Sequence, residues 1–502
     1  MVVPYRAVIL WNRRPLQNLE QRIRSSRFFE RFSHSASRPL TESLFVRLLG
    51  LVYLAAFASL WPQIVGLIGS RGVSPTTALL DAIRRDYGGH VFLTVPSLFW
   101  FHPTDHTLIA FCALGCLASI LLVACVFTRL AAFACFVLYL SVVSIGEPFL
   151  NFQWDALLLE SGFLALFIGA PWLVWAYRFL LFRLMFESGI IKLASHDPNW
   201  RNLHALRYHF MTQPLPNPIA YYTYRAPDPL LDVSTLMTLV IELLAPFLLF
   251  GPRPVRLAGA GVLIFLQVLI LLTGNYAFFN YLTIALCLWA FDEQDFSRLA
   301  PILEWHFPRM RVPKADFWRI AGNTAVAALI ALGGTQLLEM LSPSLAAPIS
   351  EKIAFLAPFE IINRYGLFAV MTTARPEIVL EGSDDNQNWR EYSFPFKPGN
   401  THRELPWVAP YQPRLDWQMW FAALGTYESN TWVAGLMYRL MTGEPSVLGL
   451  MGPPPFTTPP RYMRALLYHY DFTTPKERAK TGAVWKRELA GTWFGPVSVK
   501  AR

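Results

Sequence analysis

Ionisable side chains set in apolar sequence are the first candidates for chemistry, because a charge at bilayer depth needs a partner or a task. Two stretches stand out. The first reads Glu147-Pro-Phe-Leu-Asn-Phe-Gln-Trp-Asp155 and continues Ala-Leu-Leu-Leu-Glu160-Ser-Gly. Asp155 and Glu160 are candidates for paired carboxylates in acid–base work. Their plainer role is structural: Asn151, Gln153 and Asp155 cap a helix, and Glu160 bonds a neighbouring helix. The second reads Phe182-Arg-Leu-Met-Phe-Glu187-Ser-Gly-Ile-Ile-Lys192-Leu-Ala-Ser-His196. Glu187, Lys192 and His196, with Arg183, would meet at the outer membrane boundary. A desolvated lysine takes a depressed pKa there, and a Glu–Lys pair can relay protons. The plainer role pairs Arg183 with Glu187, one helical turn away, and lets Lys192 snorkel. His204 and His209 miss the i, i+4 spacing that chelates a metal from one helical face. No CxxC or His/Cys cluster at zinc spacing occurs, so neither a metal nor a cofactor is expected.

The elements that must position these residues are membrane helices. Of 502 residues 54% are hydrophobic and 15% charged, with mean hydropathy +0.34. An ordinary soluble protein carries about 25% charged residues. That composition excludes a cytosolic enzyme, a disordered regulator and a disulfide scaffold. A span needs about 20 apolar residues, which predicts about nine spans. They run over Leu44–Ile68, Thr107–Phe127, Ala131–Ile145, Ala156–Trp175, Ala176–Ile191, Ser234–Phe250, Arg256–Leu272, Tyr276–Phe291 and Ile320–Leu341. The third and fifth are short enough to be re-entrant instead.

The positive-inside rule orients the chain. Residues 1–43 form a basic segment holding Arg6, Arg13, Arg14, Arg22, Arg24, Arg27, Arg31 and Arg38, without the pattern of a signal peptide, and are placed in the cytoplasm. The +9 charge is read as this bias rather than as a nucleic-acid footprint. An odd number of spans carries the C-terminus to the far face. Arg309, Arg311 and Lys314 then fall on the inner side, while Lys192, Arg201, Arg207 and Arg225 sit in an outer loop, against the rule. The expected organisation is a helical domain over 44–341, with outer loops 69–105 and 192–232, followed by an extracytoplasmic domain over 342–502.

The last region reads as a small α+β domain rich in antiparallel strands. Pro376-Glu-Ile-Val-Leu-Glu-Gly alternates, meets the turn cluster Ser383-Asp-Asp-Asn-Gln-Asn and resumes as Trp389-Arg-Glu-Tyr-Ser-Phe, a β-hairpin pattern. Leu415–Leu424 and Thr431–Met441 have helical spacing, and Arg464–Phe472 and Val484–Leu489 read as strands returning to the sheet. All five cysteines, Cys112, Cys116, Cys125, Cys135 and Cys287, lie in predicted spans, and no Asn-x-Ser/Thr sequon occurs. An outward domain without thiols or sequons suits a bacterial periplasm better than an endoplasmic-reticulum lumen.

Several long motifs resemble the lipase maturation factor family. They are Gln153-Trp-Asp-Ala-Leu-Leu-Leu-Glu-Ser-Gly-Phe-Leu; the run from Ser188 through His196-Asp-Pro-Asn-Trp200-Arg201 and His209 to Gln213-Pro-Leu-Pro; Gly274-Asn-Tyr-Ala-Phe-Phe-Asn-Tyr-Leu; Phe394-Pro-Phe-Lys-Pro-Gly; and Pro410-Tyr-Gln-Pro-Arg414-Leu-Asp416-Trp417-Gln-Met-Trp420-Phe. The resemblance runs in order from about Leu44 to the end. It implies a polytopic membrane protein, in animals of the endoplasmic reticulum, that helps secreted lipases fold and assemble, and it needs no catalytic group. On this resemblance Trp200, Arg201, His209, Gln213, Arg414, Asp416, Trp417 and Trp420 are candidate motif or client-binding residues. The expected partners are membrane lipid and an exported lipase or related hydrolase, with a bacterial inner membrane as the expected location. The alternative is a membrane enzyme acting on a lipid-soluble substrate, loosely similar in architecture to the vitamin K-dependent carboxylase group. A transporter would need paired discontinuous helices or inverted halves, which the sequence lacks.

Overall fold

The computed structural model describes residues 39–88, 91–296 and 316–498. The arginine-rich segment before Pro39 and the basic run Arg309, Arg311 and Lys314 lie outside the described residues. From its start the chain forms α1 (Pro39–Leu60), α2 (Asp105–Val123), α3 (Thr128–Val143), α4 (Gln153–Ala165) and α5 (Leu173–Ala194). It continues through α6 (Ala205–Thr212), α7 (Asp228–Leu248), α8 (Arg253–Thr273), α9 (Phe279–Cys287) and α10 (Asp316–Leu341).

Among the described residues, five helices are long and apolar enough to cross a membrane: α1, α2, α7, α8 and Ile320–Leu341 of α10. The other predicted spans are helical, but they do not reach that standard. Helix α3 has 16 residues, and α9 remains a shorter apolar helix even with the 3-10 turn Leu288–Ala290 added. The predicted fourth span is interrupted, because the chain leaves α4 after Ala165 and passes through Gly169-Ala-Pro171 before α5. Helix α5 is longer than expected, at 22 residues, but it carries Arg178, Arg183, Glu187 and Lys192, all buried. The predicted first span bends after Leu60 and resumes as the short helix Ile64–Ile68. Five candidate spans, not about nine, are therefore shown.

Small residues let the helices approach closely, as expected where lipid supplies no hydrophobic drive between them. A Cβ on Gly50 would come within 2.8 Å of the Val123 backbone nitrogen, and one on Gly115 would sit 2.4 Å from the Phe57 ring. Those positions seat α1 against α2. Helices α7 and α8 turn large apolar side chains outward, including Leu236, Leu244, Phe247, Phe265 and Leu272, the surface that hydrocarbon tolerates.

The C-terminal region forms a four-stranded sheet of β1 (Pro376–Ser383), β2 (Arg390–Tyr392), β3 (Tyr462–Phe472) and β4 (Trp485–Ser498), in the order β2-β1-β3-β4. All neighbours are antiparallel, with Leu380 opposite Tyr392 and Ile378 opposite Leu467. The predicted hairpin is present, and β4 extends further than the alternation suggested because it continues across bulges opposite Met463–Tyr468. Helices α11 (Arg414–Ala423) and α12 (Trp432–Met441) match the helical spacing read in the sequence. One apolar core joins the two regions: Ile64, Leu67, Phe149 and Leu150 pack with Ile378, Leu380, Leu415, Met419 and Leu436.

Candidate functional site

Three groups of buried polar contacts fasten the segment 361–423 onto the helices. At the first, Arg414 is 0% exposed and Asp155 1%. The Arg414 guanidinium donates to both Asp155 oxygens at 3.0 Å, to the Phe149 carbonyl at 2.9 Å and to the Tyr139 hydroxyl at 3.1 Å. Asp155 opens α4 and Arg414 opens α11, so one two-pronged ion pair locks the two helix starts together. Next to it Trp417 meets Trp154 edge-on, with ring centroids 4.8 Å apart. Asp416 faces the other way and accepts the Phe396 and Lys397 backbone N–H groups at 2.8 Å. Burial pushes its carboxyl up to about 6.

At the second, Glu160 accepts from Arg183, from the Tyr365 hydroxyl at 2.8 Å and from the Asn363 N–H at 3.0 Å. Glu187 accepts the Tyr365 N–H at 2.8 Å. At the third, the Asn275 amide donates to the Leu215 and Pro406 carbonyls and accepts the Val408 and Ala409 N–H groups. Asp197 accepts the Met371 N–H at 2.6 Å, Trp200 donates to the Phe368 carbonyl at 2.8 Å, and Trp420 donates to the Thr212 carbonyl at 2.9 Å. Arg375 holds the end of α6 through the Met211 and Pro214 carbonyls and pairs with Glu377 at 2.8 Å.

Beside this seam lies a cavity of about 460 Å³, walled by α5, α6, α7, α8 and α9. It is mainly apolar, with a few polar groups at its edge, the composition of a small-molecule site. Lys192 crosses to Glu242 on α7, with its ammonium 2.9 and 2.8 Å from the two carboxylate oxygens, and also donates to the Ser188 carbonyl. The His209 ring lies 3.1 Å from the Tyr276 hydroxyl, which donates to Gln213 at 2.9 Å. Burial, with the Lys192 charge nearby, pulls His209 down to about 4, so the ring is neutral at pH 7. Asn280 donates to Gln267 at 2.7 Å. Among the described residues, no group of three His, Cys, Asp or Glu is arranged to hold a metal ion.

Two family models match the chain, the lipase maturation factor transmembrane domain over residues 40–298 and the lipase maturation factor C-terminal domain over 361–495. The chain belongs to the lipase maturation factor family. Lipase maturation factor 1 of Bos taurus is 34% identical, covering 91% of this chain and 89% of its own. Lipase maturation factor 2 of Gallus gallus is also 34% identical, over 91% of this chain and 81% of its own, and human lipase maturation factor 1 is 31% identical over 93% and 89%. No solved structure matches.

The family motifs converge in space. The segment around Asp155 meets the segment around Arg414, and the Gly274–Asn280 segment meets both the His196–Gln213 run and Pro406–Ala409. The candidate acid–base residues, by contrast, separate. Asp155 and Glu160 engage different arginines. Glu187 faces Tyr365, Lys192 faces the cavity, and His196 is exposed with its ring against Arg201. Arg183 forms its salt bridge with Glu160 rather than Glu187, and Lys192 is buried against Glu242 rather than snorkelling. Of the motif residues, Arg414, Asp416, Trp417, Trp420, Trp200 and Gln213 are buried, so in this conformation they hold the core together and offer little surface to solvent. Glu242, Tyr276, Gln267 and Asn280 were not singled out from the sequence. An isolated carboxylate in the apolar α7 and the motif position of Tyr276 were the available signals.

Proposed function

We propose that this protein is a membrane-anchored maturation factor, chaperone-like in action, for exported lipases or related hydrolases. The carrying observation is similarity along nearly the whole chain to proteins named lipase maturation factor 1 and 2. The buried seam supports the reading, because it fixes the C-terminal region rigidly on an apolar bundle, a scaffold suited to holding a folding surface near the membrane. In this reading the remaining apolar helices complete the crossing of a bacterial inner membrane, and residues 342–502 face the periplasm. The aromatic side chains free to meet a client are the exposed ones, such as Tyr222, Trp407 and Phe421, since interface anchors are typically aromatic.

The test is deletion of the gene in its host, followed by measurement of exported esterase activity and abundance. Lost activity, restored by the wild-type gene, is expected. Unchanged levels with no co-purifying hydrolase would overturn the proposal. A membrane enzyme using Glu187, Lys192 and His196 draws less support from the geometry, because those side chains enter three different surroundings.

A further inference from the structure

We infer that the cavity between α5, α7, α8 and α9 is a binding site for an uncharged, hydroxyl-bearing lipid of the monoacylglycerol kind, entered sideways from the bilayer. The mouth is on the lipid side: Val233 and Met237 of α7 and Phe265 and Leu269 of α8 line the cavity and are also exposed, on two helices long and apolar enough to span. A ligand arriving there comes from hydrocarbon. The volume lies inside the ~300–1,000 Å³ range of small-molecule sites.

The polar wall selects the head group. Asn280 is fully buried and its Oδ1 has no hydrogen-bond partner. Its amide nitrogen donates to Gln267, whose own amide nitrogen reaches only the Met185 sulfur at 3.7 Å, a weak acceptor. The pair therefore presents one unused acceptor beside one underused donor. Exchanging O and N in both amides merely swaps which residue supplies which. An unpaired buried acceptor is costly, and a hydroxyl, which donates and accepts at one atom, satisfies both groups. An ionised carboxylate or a phosphodiester does not fit, because neither has a proton to donate to the unused acceptor and because the Lys192 ammonium is already neutralised by Glu242 and held by Ser188. The inference stands independently of the proposed maturation role.

The test uses the full-length protein in nanodiscs with a photoactivatable monoacylglycerol, mapping the crosslinks by mass spectrometry. Crosslinks should fall on peptides of α7 and α8. They should be displaced by excess monooleoylglycerol at concentrations about tenfold below those needed with oleate or a phosphatidylcholine, and they should weaken roughly tenfold in Asn280→Leu. If Asn280→Leu misfolds, the wild-type competition still decides. Crosslinks scattered over all lipid-facing helices, or equal displacement by oleate, would overturn the inference.

Discussion

Replacing Arg414 by methionine strips Asp155, 1% exposed, of its cation and of the two hydrogen bonds that cation donates to it. At 3.0 Å and an effective dielectric near 20, the lost attraction is about 5 kcal/mol. Breaking one side of a buried pair costs about 3–5 kcal/mol in practice. The damage should fall at the seam between α4 and α11, and so on the whole bundle. The five cysteines provide the readout, because all are free thiols, four set in helices and Cys125 in the turn between α2 and α3, and none is fully open to solvent. A thiol-reactive fluorogenic dye, added during a thermal ramp in mild detergent, reports when the helices part. Arg414→Met should lower the midpoint by on the order of 10 °C, at about 2–4 °C per kcal/mol. The double variant Asp155→Leu with Arg414→Met removes both charges and should recover at least half of that loss. If the single variant shifts the midpoint by under about 2 °C, or if the two substitutions simply add, the ion pair does not fasten the seam.

Other consequences can be checked the same way. His209 is held at about 4 when folded against 6.5 in an exposed chain, so its contribution is present above 6.5 and lost as pH falls through 4, by ~3 kcal/mol. Asp416, raised from 3.8 to about 6, contributes in the opposite sense: its stability is present below 3.8 and lost as pH rises through 6, again by ~3 kcal/mol. Between pH 4 and 6.5 these two contributions oppose each other and largely cancel. Relative to the wild type, His209→Phe should gain stability on acidification and Asp416→Asn should lose it, and two variants with the wild-type pH profile would contradict the assignment. A Cβ on Gly66 would lie 2.3 Å from the Ser446 carbonyl oxygen. Gly66→Val should therefore displace the chain after α12 at a cost of about 1–3 kcal/mol, seen as faster proteolysis of the C-terminal region; proteolysis at the wild-type rate would refute it. A cytosol-specific reporter fused after Arg502 should stay dark if the C-terminus is outside, and fluorescence would reverse the orientation.

Much of this organisation was legible in the sequence because it is local. Apolar length marks α1, α2, α7, α8 and α10; alternation around a turn cluster marks β1 and β2; and helical spacing marks α11 and α12. The site was harder to read because its contacts are distant in the chain. Arg183 and Glu187 satisfy the one-turn rule for an exposed helix pair, yet in a buried setting Arg183 takes Glu160 from α4. Lys192 finds Glu242 across the cavity, on a different helix. Spacing within a segment says nothing of which helix packs alongside, so Asp155 and Arg414 were each noticed and their pairing was not. The fourth span misled for another reason, since the apolar residues on both sides of Gly169-Ala-Pro171 read as one run while the backbone leaves the helix there.

In the proposed role this protein raises the folding yield of an exported lipase or hydrolase. The measurement closest to it is the activity of exported esterases per unit of esterase protein, compared between a deletion strain and the same strain carrying the wild-type gene. A clear fall in specific activity on deletion is expected, with transcript levels unchanged and activity restored by the gene. Equal specific activity in both strains, across every exported esterase detected, would contradict it.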